Sequence, residues 1–396
     1  MSDVLISFDF PPMIGGAHTW LYEIYRRWPT EVRVLAAEYS KDHRESHEQR
    51  EFDHSASGIL KISRRARVLP QFDALSLRYA SFLWDQLLAI REFAGNKGKQ
   101  GPVRTTIHSL RAVPEGLPAW LYSKMHPRTT SLVTYVHGEE VLVTQTSRQL
   151  RFFARQIYED SHLVIANSEN TRRVLAEAFP QVRSVCIHPG VDTVSYRVAR
   201  GERKRYRSLL GWPADTIVVL TLARMEPRKN HAMVIRAIAK LRAEQLPIAL
   251  VCAGDGPERT KVEELAAKLG VSDWVRFIGQ VSERDKPILY SAADIFAMPA
   301  ITVGEMIEGF GIVFVEAAAA GLPKICGLTG GQREAIRDGE TGYAVDGTSL
   351  DAVASGIREL ATKPALRRRF GYAGLKLAAE HDWNVLSKKI QEEVQK

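Results

Sequence analysis

The chain is poor in the features that mark several protein classes. Its 396 residues hold three cysteines, Cys186, Cys252 and Cys326, far apart and set in apolar runs. That spacing fits neither a disulfide framework nor a zinc site, so buried core thiols are expected. No Asp-x-Asp and no His-rich cluster occurs, and no protein-held metal is expected. The G-x-G-x-x-G, G-x-S-x-G and Walker A patterns are absent. Their absence counts against a fingerprinted dinucleotide fold, a serine hydrolase and a P-loop enzyme. There is no apolar run of membrane-spanning length. The opening Met1-Ser-Asp-Val-Leu-Ile-Ser-Phe-Asp lacks the basic start and apolar core of a signal peptide and reads as a first strand. A cytoplasmic location is the expectation.

What is present is ordinary for a globular protein: 45% hydrophobic and 25% charged residues. The length accommodates two cores. The net charge is +8, and basic residues gather at Lys61, Arg64, Arg65 and Arg67 and at Arg148, Arg151 and Arg155. Two readings stand side by side: solvated faces, or attraction to an anionic membrane or phosphorylated acceptor. No nucleic-acid-binding module is visible.

Strand-like and helix-like segments alternate from end to end, which predicts parallel sheets covered on both faces. Strands are expected at Val4–Phe10, Val32–Ala37, Thr106–Leu110, Ser131–His137, Leu163–Asn167 and Ser184–Ile187. A helix is expected from Thr19 to Trp28. Lys41–Gly101 is the least readable part, with a polar stretch (Lys41–His54), an amphipathic helix (Leu75–Phe93) and a Gly/Lys-rich segment. After a charged linker and entry helix (Arg197–Arg207) the alternation restarts. Strands follow at Ile217–Ala223, Ile248–Ala253, Val275–Ile278, Ile295–Met298, Lys324–Cys326 and Gly342–Val345. His231–Arg242 and Glu258–Leu269 are among the helices. The prediction is two doubly wound α/β domains, 1–192 and 193–380. Ligands of such sheets bind beyond the strands' carboxyl ends, so two domains facing each other would enclose a cleft.

The most informative stretch is Glu308-Gly309-Phe310-Gly311-Ile312-Val-Phe-Val-Glu316, which runs into Ala-Ala-Ala-Ala-Gly-Leu-Pro. A Gly-Phe-Gly turn opens an apolar helix whose first amides suit phosphate oxygens. The two carboxylates cannot favour phosphate; sugar or ribose hydroxyls are their natural targets. That combination suits a sugar nucleotide. Glu316 lies about one turn into an otherwise apolar helix and should have a partner. Ala223-Arg224-Met-Glu-Pro-Arg228-Lys229-Asn230 follows a strand, and Arg224 and Lys229 are placed to hold a diphosphate. Gly15 and Gly16 end the first strand–helix turn and allow close approach of a ligand. His137 ends a strand, where a substrate hydroxyl or the reacting centre would lie.

Together these motifs resemble the family 4 glycosyltransferases, a retaining family with the GT-B fold of two Rossmann-like domains. The resemblance covers nearly the whole chain and is strongest from Ile217 to Val345. The Glu308…Glu316 spacing is similar to the family's E-x7-E motif. Arg224 and Lys229 match its diphosphate pair, Gly15 and Gly16 its N-terminal glycine loop, and His137 its donor-sugar histidine. The resemblance implies that Glu316 binds the nucleotide ribose and that Glu308 contacts the donor sugar. The amides of Phe310 to Ile312 would hold sugar or phosphate, and Arg224 and Lys229 would stabilise the leaving diphosphate. It further implies metal-independent transfer with retention, no cofactor, and a nucleotide sugar and a glycan or lipid-linked acceptor as partners. An acceptor-binding N-terminal domain is implied, with the last helix (about 381–396) packed back on it. The Glu-Gly-Phe-Gly-Ile-Val form is similar to phosphatidylinositol mannoside mannosyltransferases, a slight lean to GDP-mannose with a UDP-sugar as the other donor; the basic groups and the helix near Leu75–Phe93 add an expectation of peripheral contact with the inner face of a membrane. His188-Pro-Gly, Asn230 and Gln332-Arg333 depart from common forms. The alternatives are a nucleotide-sugar 2-epimerase of the same fold, a non-catalytic nucleotide-sugar-binding protein and a Rossmann oxidoreductase.

Overall fold

A computed structural model of the chain describes residues 2–12, 15–37, 43–66, 77–94, 104–199 and 202–396. Arg67, Leu75 and the Gly/Lys-rich segment lie outside them. The chain divides into two compact units, residues 1–188 with 383–396, and residues 189–382. Each is built on one parallel sheet.

The first sheet has seven strands: β1 (Ser2–Ile6), β2 (Val32–Ala37), β3 (Leu60–Ala66), β4 (Thr105–Ser109), β5 (Thr130–Val136), β6 (Leu163–Ala166) and β7 (Val185–Cys186). Their order is β3-β2-β1-β4-β5-β6-β7, so the winding reverses between β1 and β4. The second sheet has six: β8 (Ile217–Leu222), β9 (Ile248–Ala253), β10 (Val275–Gly279), β11 (Ile295–Met298), β12 (Lys324–Gly327) and β13 (Gly342–Val345). Here the order is β10-β9-β8-β11-β12-β13, and the reversal falls between β8 and β11. In each unit the crevice at the reversal is where an open α/β sheet takes its ligand.

The apolar runs read as strands are buried on both faces: every residue of β9 and β11 is inaccessible, as parallel sheets require. Helices cover both sides of the second sheet, His231–Ala243 and Leu350–Thr362 on one core, Ile312–Ala319 on the other. In the first unit, the helix Gly16–Tyr25 buries Trp20, Leu21, Ile24 and Tyr25. The last helix, Trp383–Gln395, buries Trp383, Leu386, Ser387 and Ile390, a stripe at helical spacing. Ser387 donates its hydroxyl proton to the Ile24 carbonyl (3.2 Å), and Arg27 donates to Asn384 (3.1 Å). The final helix therefore completes the first unit although 194 residues of the second precede it. Before it, residues 381–382 run beside Val191: the Val191 amide donates to the His381 carbonyl (2.9 Å).

Two charged stretches take up defined structure. Lys61, Arg64 and Arg65 of the basic group lie on strand β3 at a sheet edge. Lys61 pairs with Glu31 (2.6 Å), and the buried Arg64 forks onto both oxygens of Asp53 (2.9 and 2.8 Å); neither guanidinium arm of Arg64 is left for an anion. The charged stretch expected as linker and entry helix holds two helices, Thr193–Ala199 and Arg203–Leu209. Arg203 and Arg207 bind the two oxygens of Asp294 (2.6 Å each) at the foot of β11. Among the described residues no helix is long and apolar enough to cross a membrane.

Candidate active site

The loops at the second reversal come from β8 (Ala223–Asn230) and β11 (Pro299–Phe310). The β8 loop closes as a short 3-10 turn, Pro227–Lys229, on Asn230. Asn230 has φ 61°, the left-handed region that Asn tolerates better than other non-glycine residues. Its side-chain amide donates to the carbonyls of Pro299 (3.0 Å) and Gly347 (2.8 Å). Asn230, one of the departures from common forms, therefore ties the β8 loop to the segments that follow β11 and β13.

That turn points Arg228 and Lys229 at Glu308. Arg228 Nη1 lies 2.7 Å from Glu308 Oε2, and Lys229 Nζ donates to the same oxygen. Glu308 is only 8% exposed. Burial opposes its ionisation, but Lys229 and Arg228 outweigh that and hold the carboxyl below its ordinary range. The Glu308 backbone is fixed as well: its carbonyl accepts from the Gly331 amide (2.8 Å). Gly330, at φ 71°, packs so closely that a Cβ would come within 2.5 Å of that carbonyl.

Past Glu308, Phe310 is buried and stacks on His381 at 6.0 Å between centroids. Gly311 caps the helix Ile312–Ala319 at φ 82°, and no side chain caps the helix start. A Cβ at Gly311 would meet the Phe314 ring at 2.7 Å. The conformation and the packing both require glycine; the Phe314 amide bonds the Gly311 carbonyl (3.0 Å), and no side chain caps the amides before it. One turn on, Glu316 is 4% exposed. Its Oε2 accepts from Tyr290 Oη (2.8 Å) and its Oε1 from Lys286 Nζ (3.3 Å). Lys286 also pairs with Glu283 (2.6 Å). Burial raises the Glu316 carboxyl against the pull of Lys286. Burial likewise disfavours the Lys286 cation, but Glu316 and Glu283 more than restore it.

The buried Gln332 accounts for a further departure from the family pattern. Its carbonyl accepts from the amides of Gly327 (2.9 Å) and Ala300 (3.2 Å), and its amide donates to the carbonyls of Ala300 (2.8 Å) and Thr329 (2.7 Å). One side chain thus satisfies four backbone groups between the β11 and β12 loops.

In the first unit the expected residues also sit at strand ends. Gly15 is extended and precedes the helix that Gly16 opens; a Cβ on Gly15 would meet the His18 ring at 2.9 Å. Space, not a left-handed backbone, is the reason for that glycine. His137 follows β5, and its Nε2 donates to the Leu110 carbonyl (3.0 Å), since a carbonyl can only accept. Burial, helped by Arg111, pushes its pKa down to about 3. The ring is a neutral imidazole with Nδ1 as its acceptor, which disfavours a general-base role and suits holding a hydroxyl.

At the reversal between β1 and β4, Arg111 Nη2 bridges Asp9 Oδ2 (2.6 Å) and Glu115 Oε1 (2.7 Å), while its Nε donates to Glu115 Oε2 (3.2 Å). His18 Nε2 is 3.8 Å from the same Asp9 oxygen.

The structure brings Lys229 and Glu308 together and places Glu316 in a separate network of its own. Arg224 stands apart: its side chain is 72% exposed and its Nε lies 3.3 Å from Glu226. Sequence reasoning assigned nothing to Arg228, Lys286 or Tyr290. Lys286 and Tyr290 are four residues apart on the helix Lys286–Ala292, a spacing that presents both to one side.

Two family models match: Glycosyl transferases group 1 over residues 202–377 and Glycosyltransferase Family 4 over residues 14–195. A GDP-mannose-dependent alpha-(1-6)-phosphatidylinositol monomannoside mannosyltransferase of Mycolicibacterium smegmatis is 35% identical over 265 residues, 66% of this chain and 69% of that one. Its Mycobacterium tuberculosis counterpart is 38% identical, and the match spans 66% of its length. A mannosyltransferase of Corynebacterium glutamicum, named for the monoacylated phosphatidylinositol monomannoside, is 26% identical over 98% of this chain and 96% of its own. Among solved structures, HepE of Anabaena with UDP and glucose superposes with a TM-score of 0.79 at 19% identity, covering 100% of this chain and 99% of that one. Sucrose-phosphate synthase of Thermosynechococcus elongatus gives 0.77 at 20% identity, covering 100% and 98%. These two likenesses establish the GT-B fold. The chain belongs to glycosyltransferase family 4, and it is a glycosyltransferase.

Proposed function

We propose that the protein transfers a hexose, with retention and without a metal, from a nucleoside-diphosphate sugar to a hydroxyl of a glycan, glycolipid or small-molecule acceptor. GDP-mannose is the favoured donor and a glycolipid the favoured acceptor class, because the mannosyltransferase relatives are named for GDP-mannose and phosphatidylinositol monomannoside. The observation that carries the reading is the Glu308 carboxylate gripped by Arg228 and Lys229 directly before an uncapped helix start. When a diphosphate enters, Lys229 can exchange Glu308 for phosphate oxygens, and Arg224, exposed in the same loop, can join it. Glu308 is then released toward a sugar hydroxyl. The bond between the sugar C1 and the phosphate oxygen breaks, and a bond from C1 to the acceptor oxygen forms on the same face. The acceptor proton passes to the leaving diphosphate. The protein contributes charge and orientation rather than a nucleophile. Two cations beside the diphosphate supply the positive charge that a metal would otherwise bring.

A thermal-shift panel of GDP, UDP, ADP and TDP with their common sugars, in a metal chelator, tests this. A ligand that binds only the folded state must raise the melting temperature. A shift confined to one nucleotide series supports the reading and names the donor. A shift with nicotinamide dinucleotide alone overturns it. Membrane contact is a further part of the proposal, and failure to bind anionic liposomes at low salt would remove it.

A further inference from the structure

We infer that Tyr290 and Lys286 are positioning residues that preset the Glu316 carboxylate for the two ribose hydroxyls, and so set how strongly the enzyme prefers a ribonucleotide over its deoxy counterpart. The inference rests on the proposed role of Glu316 as the ribose-binding carboxylate.

A carboxylate has about four acceptor sites, two on each oxygen. Tyr290 fills one on Oε2 and Lys286 one on Oε1, which leaves one on each oxygen. These two remaining acceptor sites, one on each oxygen and a carboxylate-width apart, match a vicinal diol. Because both oxygens are held from the protein side, the carboxyl group cannot turn about its terminal torsion, which is otherwise broad. The rest of its helix is apolar and buried, with Val313, Phe314, Val315 and Ala317 around it, so no other polar group on that helix does this work. The Tyr290 hydroxyl carries a single proton and also lies 3.2 Å from the Val313 carbonyl. The shorter distance to Glu316 directs the proton there.

Lys286 has a second function. A hydroxyl-binding acid must stay ionised to accept from two donors, and burial works against that. The charged groups facing Glu316 are Lys286 and Glu283, with the phenols of Tyr290 and Tyr196. Lys286 is the one cation in the set, and Glu283 anchors it from the exposed side.

The test is calorimetric titration of GDP and UDP, each against its 2′-deoxy and 3′-deoxy forms, on wild type, Tyr290→Phe, Lys286→Met, Lys286→Arg and Glu316→Gln. Wild type should prefer the ribonucleotide. Tyr290→Phe, which removes one oxygen atom, should cut that preference about tenfold. In turnover it should raise the donor KM by a similar factor with kcat nearly unchanged. Lys286→Met should do the same, and Lys286→Arg should restore most of the preference, a rescue that mere packing would not produce. If Glu316→Gln keeps the wild-type preference, the ribose reading itself has failed. If Glu316→Gln loses the preference while Tyr290→Phe and Lys286→Met keep it, the positioning inference alone is overturned. Should Tyr290→Phe not fold, the Lys286 pair decides the matter.

Discussion

The two units carry mirror-image charge clusters at corresponding places, the crevice where each sheet reverses its winding. In the first, one cation is gripped by two carboxylates: Arg111 by Asp9 and the fully buried Glu115. In the second, one carboxylate is gripped by two cations: Glu308 by Arg228 and Lys229. Arg111 with Asp9 and Glu115 sums to one negative charge; Arg224, Arg228 and Lys229 with Glu226 and Glu308 sum to one positive charge. A diphosphate is attracted to the second and repelled by the first; hydroxyl groups are welcome at either. The burial differs too. Glu115 has no access to water, so its ionisation depends on Arg111, and burial still leaves its carboxyl raised. Arg111 is itself more exposed (28%) than Arg228 (17%) or Lys229 (12%), so the difference lies in the carboxylates: the buried Glu115 has one cation and Glu308 has two. On the proposed reading, the first cluster is a fixed strut and the second an exchangeable anion grip.

The largest effect expected breaks the strut. Glu115→Ala takes the fully buried partner from a half-buried Arg111, which should cost about 1.5–3 kcal/mol of stability, read from denaturant unfolding. A loss under 1 kcal/mol would erase the contrast. Lys229→Ala should give the opposite profile. Arg228 still pairs with Glu308, so the melting temperature should barely move. The donor kcat/KM should fall by about 10²–10³, the scale seen when one charge-stabilising donor is removed. Wild-type rates with Lys229→Ala would sink the diphosphate assignment.

Lys324 sharpens the comparison by showing a buried cation with no carboxylate. Its side chain is fully buried on β12 and its Nζ has no hydrogen-bond partner. Burial pushes its pKa down to about 7. The unfolded chain holds this proton up to about pH 10.4, so between about pH 7 and 10 the unfolded state binds the extra proton. Stability must rise with pH across that window, by at most about 1.4 kcal/mol per pH unit. Lys324→Met should flatten the slope and raise stability at pH 7, as followed by urea unfolding at several pH values; an unchanged slope would refute the assignment. The smallest effect belongs to Arg224→Ala. At 72% exposure its pair with Glu226 adds little to stability, under about 1 kcal/mol. It should still weaken donor binding a few-fold, measured as KM.

Much of this was legible in the sequence because parallel strands buried on both faces are continuous apolar runs. Ile248–Ala253 and Ile295–Met298 have the bounds that their composition predicts. Glycine and carboxylate spacing likewise drew attention to Glu308 and Glu316. β3 was hidden because Lys61, Ser63, Arg64 and Arg65 interrupt it, as befits an edge strand. The pairing of Arg64 with Asp53 converts apparent surface charge into structure. Arg228 was passed over for Arg224 because a loop's sequence does not say which cation points inward. Only the left-handed turn at Asn230 and its ties to Pro299 and Gly347 decide that. Lys286 and Tyr290 lay beyond reach because their partner, Glu316, is about thirty positions away.

The last helix has a consequence for how the protein is made. A ribosome adding about 5–20 residues per second takes roughly ten to forty seconds to pass from the end of the first sheet to the helix Trp383–Gln395. Throughout that interval the helix Gly16–Tyr25 lacks the surface that later covers it. The unit whose synthesis begins second is the one that can close first, and the nascent N-terminal sheet must wait, with an apolar flank open to chaperones, for the end of the same chain.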